Sequence, residues 1–154
     1  MKRIIYMVFM NLFHAPVWLL KIARMARPGD NHTMQQRYDY IAEMTRRIIK
    51  RGRVTIKVTG VEHIPEKDGF MLFPNHQGLF DVLALFSTCP KALSVVIKKE
   101  ASGWILVKQV LGATGSLAMD RKDMKDQVRI IGEVTRLVKE GRNFVIFAEG
   151  HRSR

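Results

Sequence analysis

An internal disulfide is the first thing this sequence excludes. Its one cysteine, Cys89, has no partner and stands far from other soft ligands, so there is no zinc pattern and the natural setting is a reducing cytoplasm. Acidic residues are scarce as well: 14 Asp and Glu face 26 Lys and Arg in 154 residues, a formal net charge of +12. Such a surface attracts polyanions, whether nucleic acid, anionic lipid or phosphorylated substrates. The shortage is greatest in residues 1–60, where 12 Lys or Arg meet only Asp30, Asp39 and Glu43. Nine of the twelve excess charges therefore lie there. A long unbroken hydrophobic run is also missing. Ile4 to Leu20 comes nearest, but its 17 residues are at the lower limit for a bilayer span, and Asn11, His14 and Pro16 interrupt them. No small-residue cleavage site follows. Lys2 and Arg3 precede this stretch and Lys21, Arg24 and Arg27 follow it, which suits a helix lying in the headgroup plane.

What is present is enough for one core, since 47% of the residues are apolar. Pro28-Gly29-Asp30 breaks the first segment. A second helical pattern runs from about Thr33 to Arg51, with Asn31 or Thr33 to cap it and Gly52 to end it. These two helices, basic on their polar sides and carrying Phe9, Phe13, Trp18, Leu19 and Leu20, form an expected pad on anionic lipid. From Arg53 the period changes to two: Val54, Ile56 and Val58 alternate with Thr55, Lys57 and Thr59 as in a half-buried strand. Buried strands are then expected at Phe70 to Phe73, Leu93 to Ile97, Ser116 to Met119 and Asn143 to Phe147. Between them fall helices at Leu79 to Thr88, Glu100 to Leu111 and Met124 to Lys139, the last with Val128, Ile131, Val134 or Thr135, and Val138 on one face. Alternating strands and helices predict an α/β fold: a two-helix amphipathic membrane-surface motif over residues 1–52, then a largely parallel sheet with flanking helices over 53–154.

In such sheets ligands gather beyond the carboxyl ends of the strands. Three of the expected strand ends carry polar clusters: Asn75-His76-Gln77-Gly78-Leu79-Phe80-Asp81, Asp120-Arg121, and Glu149-Gly150-His151-Arg152-Ser153-Arg154. In one continuous helix His76 and Asp81 would point about 140° apart and could not pair. If the helix begins near Gly78, the Asp81 carboxylate folds back to accept the imidazole N–H, and Gly78 eases the bend. His76 is then a general base for a substrate hydroxyl, and no protein nucleophile is required. His63 and Asp68 repeat the spacing, but in a turn with no strand end before it, so they are expected to be solvated surface. Arg121, Arg152 and Arg154 offer guanidinium forks to a phosphate. Glu149 follows a buried run and must be oriented by an Arg or a substrate hydroxyl. Ser116, Ser153 and Cys89 have no activating base in view.

Together these blocks resemble the glycerophospholipid acyltransferase family. Asn75 to Asp81 looks like its His-x₄-Asp block, Gly115-Ser116-Leu117-Ala118-Met119-Asp120-Arg121 its second block, and Phe147-Ala148-Glu149-Gly150-His151-Arg152-Ser153 its third; Val58 to Pro65 also fits. The resemblance implies transfer of a fatty acyl chain from acyl carrier protein or coenzyme A to the free hydroxyl of lysophosphatidic acid. His76 and Asp81 would be catalytic, and Asn75, Gly115, Arg121, Glu149, Gly150 and Arg152 would bind substrate. No metal or organic cofactor is called for beyond the acyl thioester. The expected location is the cytoplasmic face of the membrane, as a peripheral or monotopic protein on anionic lipid. Ala148 and His151 replace the family's usual Pro and Thr, which could shift acceptor preference. Family members also continue past the third block, so the chain is expected to be C-terminally truncated. The alternatives are an acyltransferase for glycerol 3-phosphate or another lysolipid, and a non-catalytic basic membrane-binding module. Nucleic acid is disfavoured as a partner, because the basic helices are rich in bulky apolar residues and no base-reading motif is present.

Overall fold

The computed structural model of the chain describes residues 2–75 and 78–147. Three helices come first: α1 (Lys2–Asn11), α2 (Ala15–Met25) and α3 (Met34–Arg51). The stretch expected as one helix from Ile4 to Leu20 is thus divided in two. Pro16, in the first turn of α2, explains the break: it has no N–H to give an upstream carbonyl and its ring would collide with the preceding turn, yet its fixed φ suits a helix start. The Asn11 side chain finishes α1 by donating to the Met7 carbonyl at 2.7 Å, and the Arg51 guanidinium reaches back to Asn11 Oδ1 at 3.2 Å. α3 begins as expected. Thr33 Oγ1 accepts the Gln36 N–H and the Gln36 amide oxygen accepts the Thr33 N–H, a reciprocal cap on two otherwise orphaned donors.

The segment from Val54 to Val58 is not a strand. Val54 and Ile56 are half-buried and Thr55 and Lys57 exposed, but Val58 is exposed too, so the alternation holds only at its start, and among the described residues no neighbouring strand takes up its backbone groups. β1 (Met71–Leu72), α4 (Leu79–Thr88), β2 (Leu93–Lys98), α5 (Ile105–Thr114), β3 (Leu117–Met119), α6 (Met124–Lys139) and β4 (Asn143–Ile146) follow. Glu100, expected to open α5, lies instead in a separate short 3₁₀ turn, Lys99–Ala101.

All four strands are parallel, in the order β1-β4-β2-β3. β4 is a central strand, pairing Phe144 with Met71 on one side and Val145 with Val95 on the other. Successive side chains point to opposite faces, so the sheet divides the core in two. Leu93, Val95, Val145 and Phe147 pack with Phe86 of α4, Ala113 of α5, Trp18 and Ile22 of α2 and Tyr38, Ile41 and Met44 of α3. Val96 and Phe144 pack on the other face against Ile130, Val134 and Leu137 of α6. The buried stripe of α6 is therefore turned from the expected one: Val128 and Ile131 face outward. The N-terminal helices share a core with the sheet across residues 52 and 53. Among the described residues no helix is long and apolar enough to cross a membrane.

Candidate functional site at the carboxyl ends of the strands

Because the strands are parallel, their carboxyl ends emerge at one edge of the sheet. Beyond β1 the chain runs through exposed Phe73 and Asn75 and enters α4 at Leu79. Gly78 is extended at φ 171, and the Asp81 carboxylate turns back to accept its N–H at 3.0 Å, while the Asp81 N–H bonds the Gly78 carbonyl at 3.1 Å. The anion thus sits in the first turn of a helix, where the amide dipoles favour negative charge. The Asp81 carboxylate thus folds back onto an amide two residues beyond His76, the residue whose ring it is expected to orient. His76 itself lies outside the described residues, as do Glu149, Gly150 and Arg152 beyond the end of β4.

Beyond β3, Asp120 and Arg121 are locked into their loop. The Asp120 N–H donates to Asp126 Oδ2 at 2.7 Å, Asp120 Oδ1 accepts the Lys122 N–H at 3.0 Å, and Gln127 Nε2 donates to the Arg121 carbonyl at 3.0 Å. Lys99, from the end of β2, approaches Asp120 Oδ2 at 3.4 Å. The Lys122 amide, with the Lys99 ammonium, holds the Asp120 carboxyl below the usual carboxylate range. Asp126 is held low chiefly by the Asp120 amide and then by Arg129 at 2.6 Å. Lys99, Asp126 and Gln127 were not foreseen as supports for this loop. The position of Asp126 in the first turn of α6 is the signal that could have pointed to it.

The strand order sets the spacing of these groups. Among the described strands β1 and β3 are the outer two, so their carboxyl ends, from which the chain leads to Asp81 and to Arg121, lie roughly 14 Å apart, three strand spacings. β4, which leads toward Glu149, emerges beside β1.

Gly115 does not join them. It ends α5 and precedes β3, which puts it at the opposite, amino-terminal edge of the sheet. Its φ of +56 is the left-handed stop that glycine adopts most readily, and a Cβ there would lie 2.1 Å from the Arg142 guanidinium. In the structure Gly115 ends a helix and makes room for Arg142. Among the described residues no group of three metal-ligating side chains occurs.

The family model described as Acyltransferase matches residues 55–154, and the chain belongs to that family. Among curated proteins it is similar to a 1-acyl-sn-glycerol-3-phosphate acyltransferase of Borreliella burgdorferi, 28% identical over 101 residues that cover 66% of this chain and 40% of the relative. It is also similar to a protein of the same description from Helicobacter pylori, 31% identical over 80 residues, covering 52% and 34%. The chain spans less than half the length of these curated relatives. No solved structure matches it.

Proposed function

We propose that the protein acylates the free hydroxyl of lysophosphatidic acid, giving phosphatidic acid for phospholipid synthesis. The observation that carries this is the Asp81 carboxylate, anchored at the start of α4 and turned back onto the loop beyond β1, in a chain of the Acyltransferase family. In this mechanism His76 removes the proton from the acceptor hydroxyl while Asp81 orients the ring and stabilises the imidazolium. The oxygen attacks the thioester carbonyl of acyl carrier protein or acyl coenzyme A. The tetrahedral intermediate collapses with cleavage of the C–S bond, and the departing thiolate takes up the proton from the imidazolium. Arg121, with Glu149, Gly150 and Arg152 beyond β4 and Asn75 beyond β1, holds the phosphate and glycerol of the acceptor.

The excess of positive charge in residues 1–60 supports docking of α1 and α2 on anionic lipid, where acceptor and product both reside. Phe9, Leu12, Phe13, Val17 and Leu20 expose their side chains there. The cytoplasmic face of the membrane is the location this chemistry needs, because the thioester donors are made in the cytoplasm.

The test is thiol release from an acyl thioester in the presence of lysophosphatidic acid and anionic vesicles, for the chain and its His76→Ala variant. Lysolipid-dependent release by the first and its loss in the second is the expected result. Release that survives the substitution, or that ignores the lysolipid, overturns the mechanism.

A further inference from the structure

Trp104, Ile105 and Leu106 are three consecutive bulky side chains that the fold leaves uncovered, with 61%, 72% and 42% of their surfaces exposed. They open α5 after the short 3₁₀ turn that follows the carboxyl end of β2, on the same edge of the sheet as the loops leading to Asp81 and Arg121. Exposed Lys98, Lys99 and Lys108 flank them in the sequence, with Glu100 among them and Asp120 at 3.4 Å from Lys99. Trp104 is the N-cap residue, where it offers no side-chain acceptor, and the first turn of α5 holds no acid. The first turn of α5 itself therefore presents neither a competing cap nor a carboxylate to an approaching anion.

α2 packs along α5, and a Cβ at Gly112 would touch Ala26 at 3.5 Å, near the carboxyl ends of both helices. The end of α5 thus meets the end of α2, while Trp104 and Ile105 lie at the other end of α5, on the carboxyl edge of the sheet. Phe73, 60% exposed at the end of β1, lies on that edge too.

We propose that the Trp104-Ile105-Leu106 turn is a second membrane contact, a wedge that enters the interface of an anionic bilayer beside the site. A soluble protein seldom exposes such a run without a partner, and a tryptophan flanked by lysines is the composition favoured where apolar chains meet charged headgroups. With α1 and α2 as the other contact, the wedge would fix the tilt of the sheet so that the strand ends face the lipid. The proposal rests on the membrane docking put forward above and adds to it a particular point of entry.

The chain has two tryptophans, and Trp18 is buried in the core. In a Trp18→Phe variant the emission therefore comes from Trp104 alone. On adding vesicles of phosphatidylethanolamine and phosphatidylglycerol, we expect a blue shift and strong quenching when the lipid acyl chains carry bromine. If Trp18→Phe does not fold, the difference between the unaltered chain and Trp104→Phe reports the same signal. Replacing Ile105 and Leu106 with Glu should weaken vesicle co-sedimentation by roughly tenfold or more, with unchanged helix content. Co-sedimentation with Trp104 neither shifted nor quenched overturns the wedge but leaves docking by α1 and α2 standing. Failure to co-sediment with anionic vesicles at all overturns both.

Discussion

The two edges of the parallel sheet are built from similar residues and used in opposite ways. At the amino-terminal edge the polar side chains are spent on one another. Buried Asn143 accepts the Gly69 N–H at 2.8 Å and donates to Asp68 and to the Ala92 carbonyl at 3.1 Å, tying two loops to β4. Arg142 donates to Ser94 Oγ at 2.8 Å and to the carbonyls of Thr114 and Gly115 at 2.9 and 3.1 Å. Burial pushes its guanidinium below the usual arginine value. At the carboxyl edge the loops are fastened through backbone amides: Gly78 holds Asp81, and Asp120 and Lys122 shape the turn beyond β3. Around that edge lie exposed Phe73, Trp104 and Ile105. One edge closes the fold, while the other keeps carboxylates in fixed places beside an apolar, basic surface. Substitutions at the first should cost stability, and substitutions at the second should cost activity.

The largest effect that would sharpen this contrast is at Asp81. Asp81→Asn keeps the shape but removes the charge that, in the proposed mechanism, supports the His76 imidazolium, so turnover should fall by roughly 10³-fold or more, on the precedent of catalytic triads. Its urea midpoint should move little, because the Asn amide oxygen can still accept the Gly78 N–H. A variant that loses turnover only in proportion to its loss of folded protein would break the comparison.

Asn143→Ala should do the reverse. It leaves the Gly69 amide and the Ala92 carbonyl without a buried partner, at a cost of roughly 2–4 kcal/mol in urea unfolding, with turnover per folded molecule preserved. Gly115→Ala combines a left-handed backbone with a clash against Arg142, and should cost about 1–3 kcal/mol. The acceptor KM should not change. A raised KM with unchanged stability would place Gly115 in the substrate site.

The smallest effect is in acid. Asp120 and Asp126 titrate below their ordinary value of 3.8 in the folded chain. Stability from these carboxylates is therefore complete above that value and is lost as the pH falls through their lower folded values. Asp126→Asn should flatten this acid limb in pH-dependent thermal melts and leave stability at neutral pH nearly unchanged, because its partner Arg129 is exposed.

Much of this architecture was legible along the chain because its causes are local. The Thr33 cap, the start of α4 after Gly78 and the span of α6 follow from neighbours within a turn or two. The break at Pro16 could have been read too, had the missing donor been weighed against the apolar run. Other features could not. Val54 to Val58 alternates like a strand, but a strand also needs a neighbour's backbone, and alternation says nothing of one. Val128 and Ile131 match the period of α6 as well as Ile130 and Val134 do, and only contact with Val96 and Phe144 decides which stripe is buried.

By itself the sequence determined the order of strands and helices from β1 to β4, the residue types at each strand end and the concentration of positive charge, since each depends on composition or on short-range backbone preference. The tertiary structure alone decided that β4 inserts between β1 and β2, that Asp81 and Arg121 stand on opposite flanks of one edge, and that Gly115 belongs to the other edge. Those placements depend on which backbone groups pair between residues far apart in the chain, and one-dimensional periodicity carries no record of the partner.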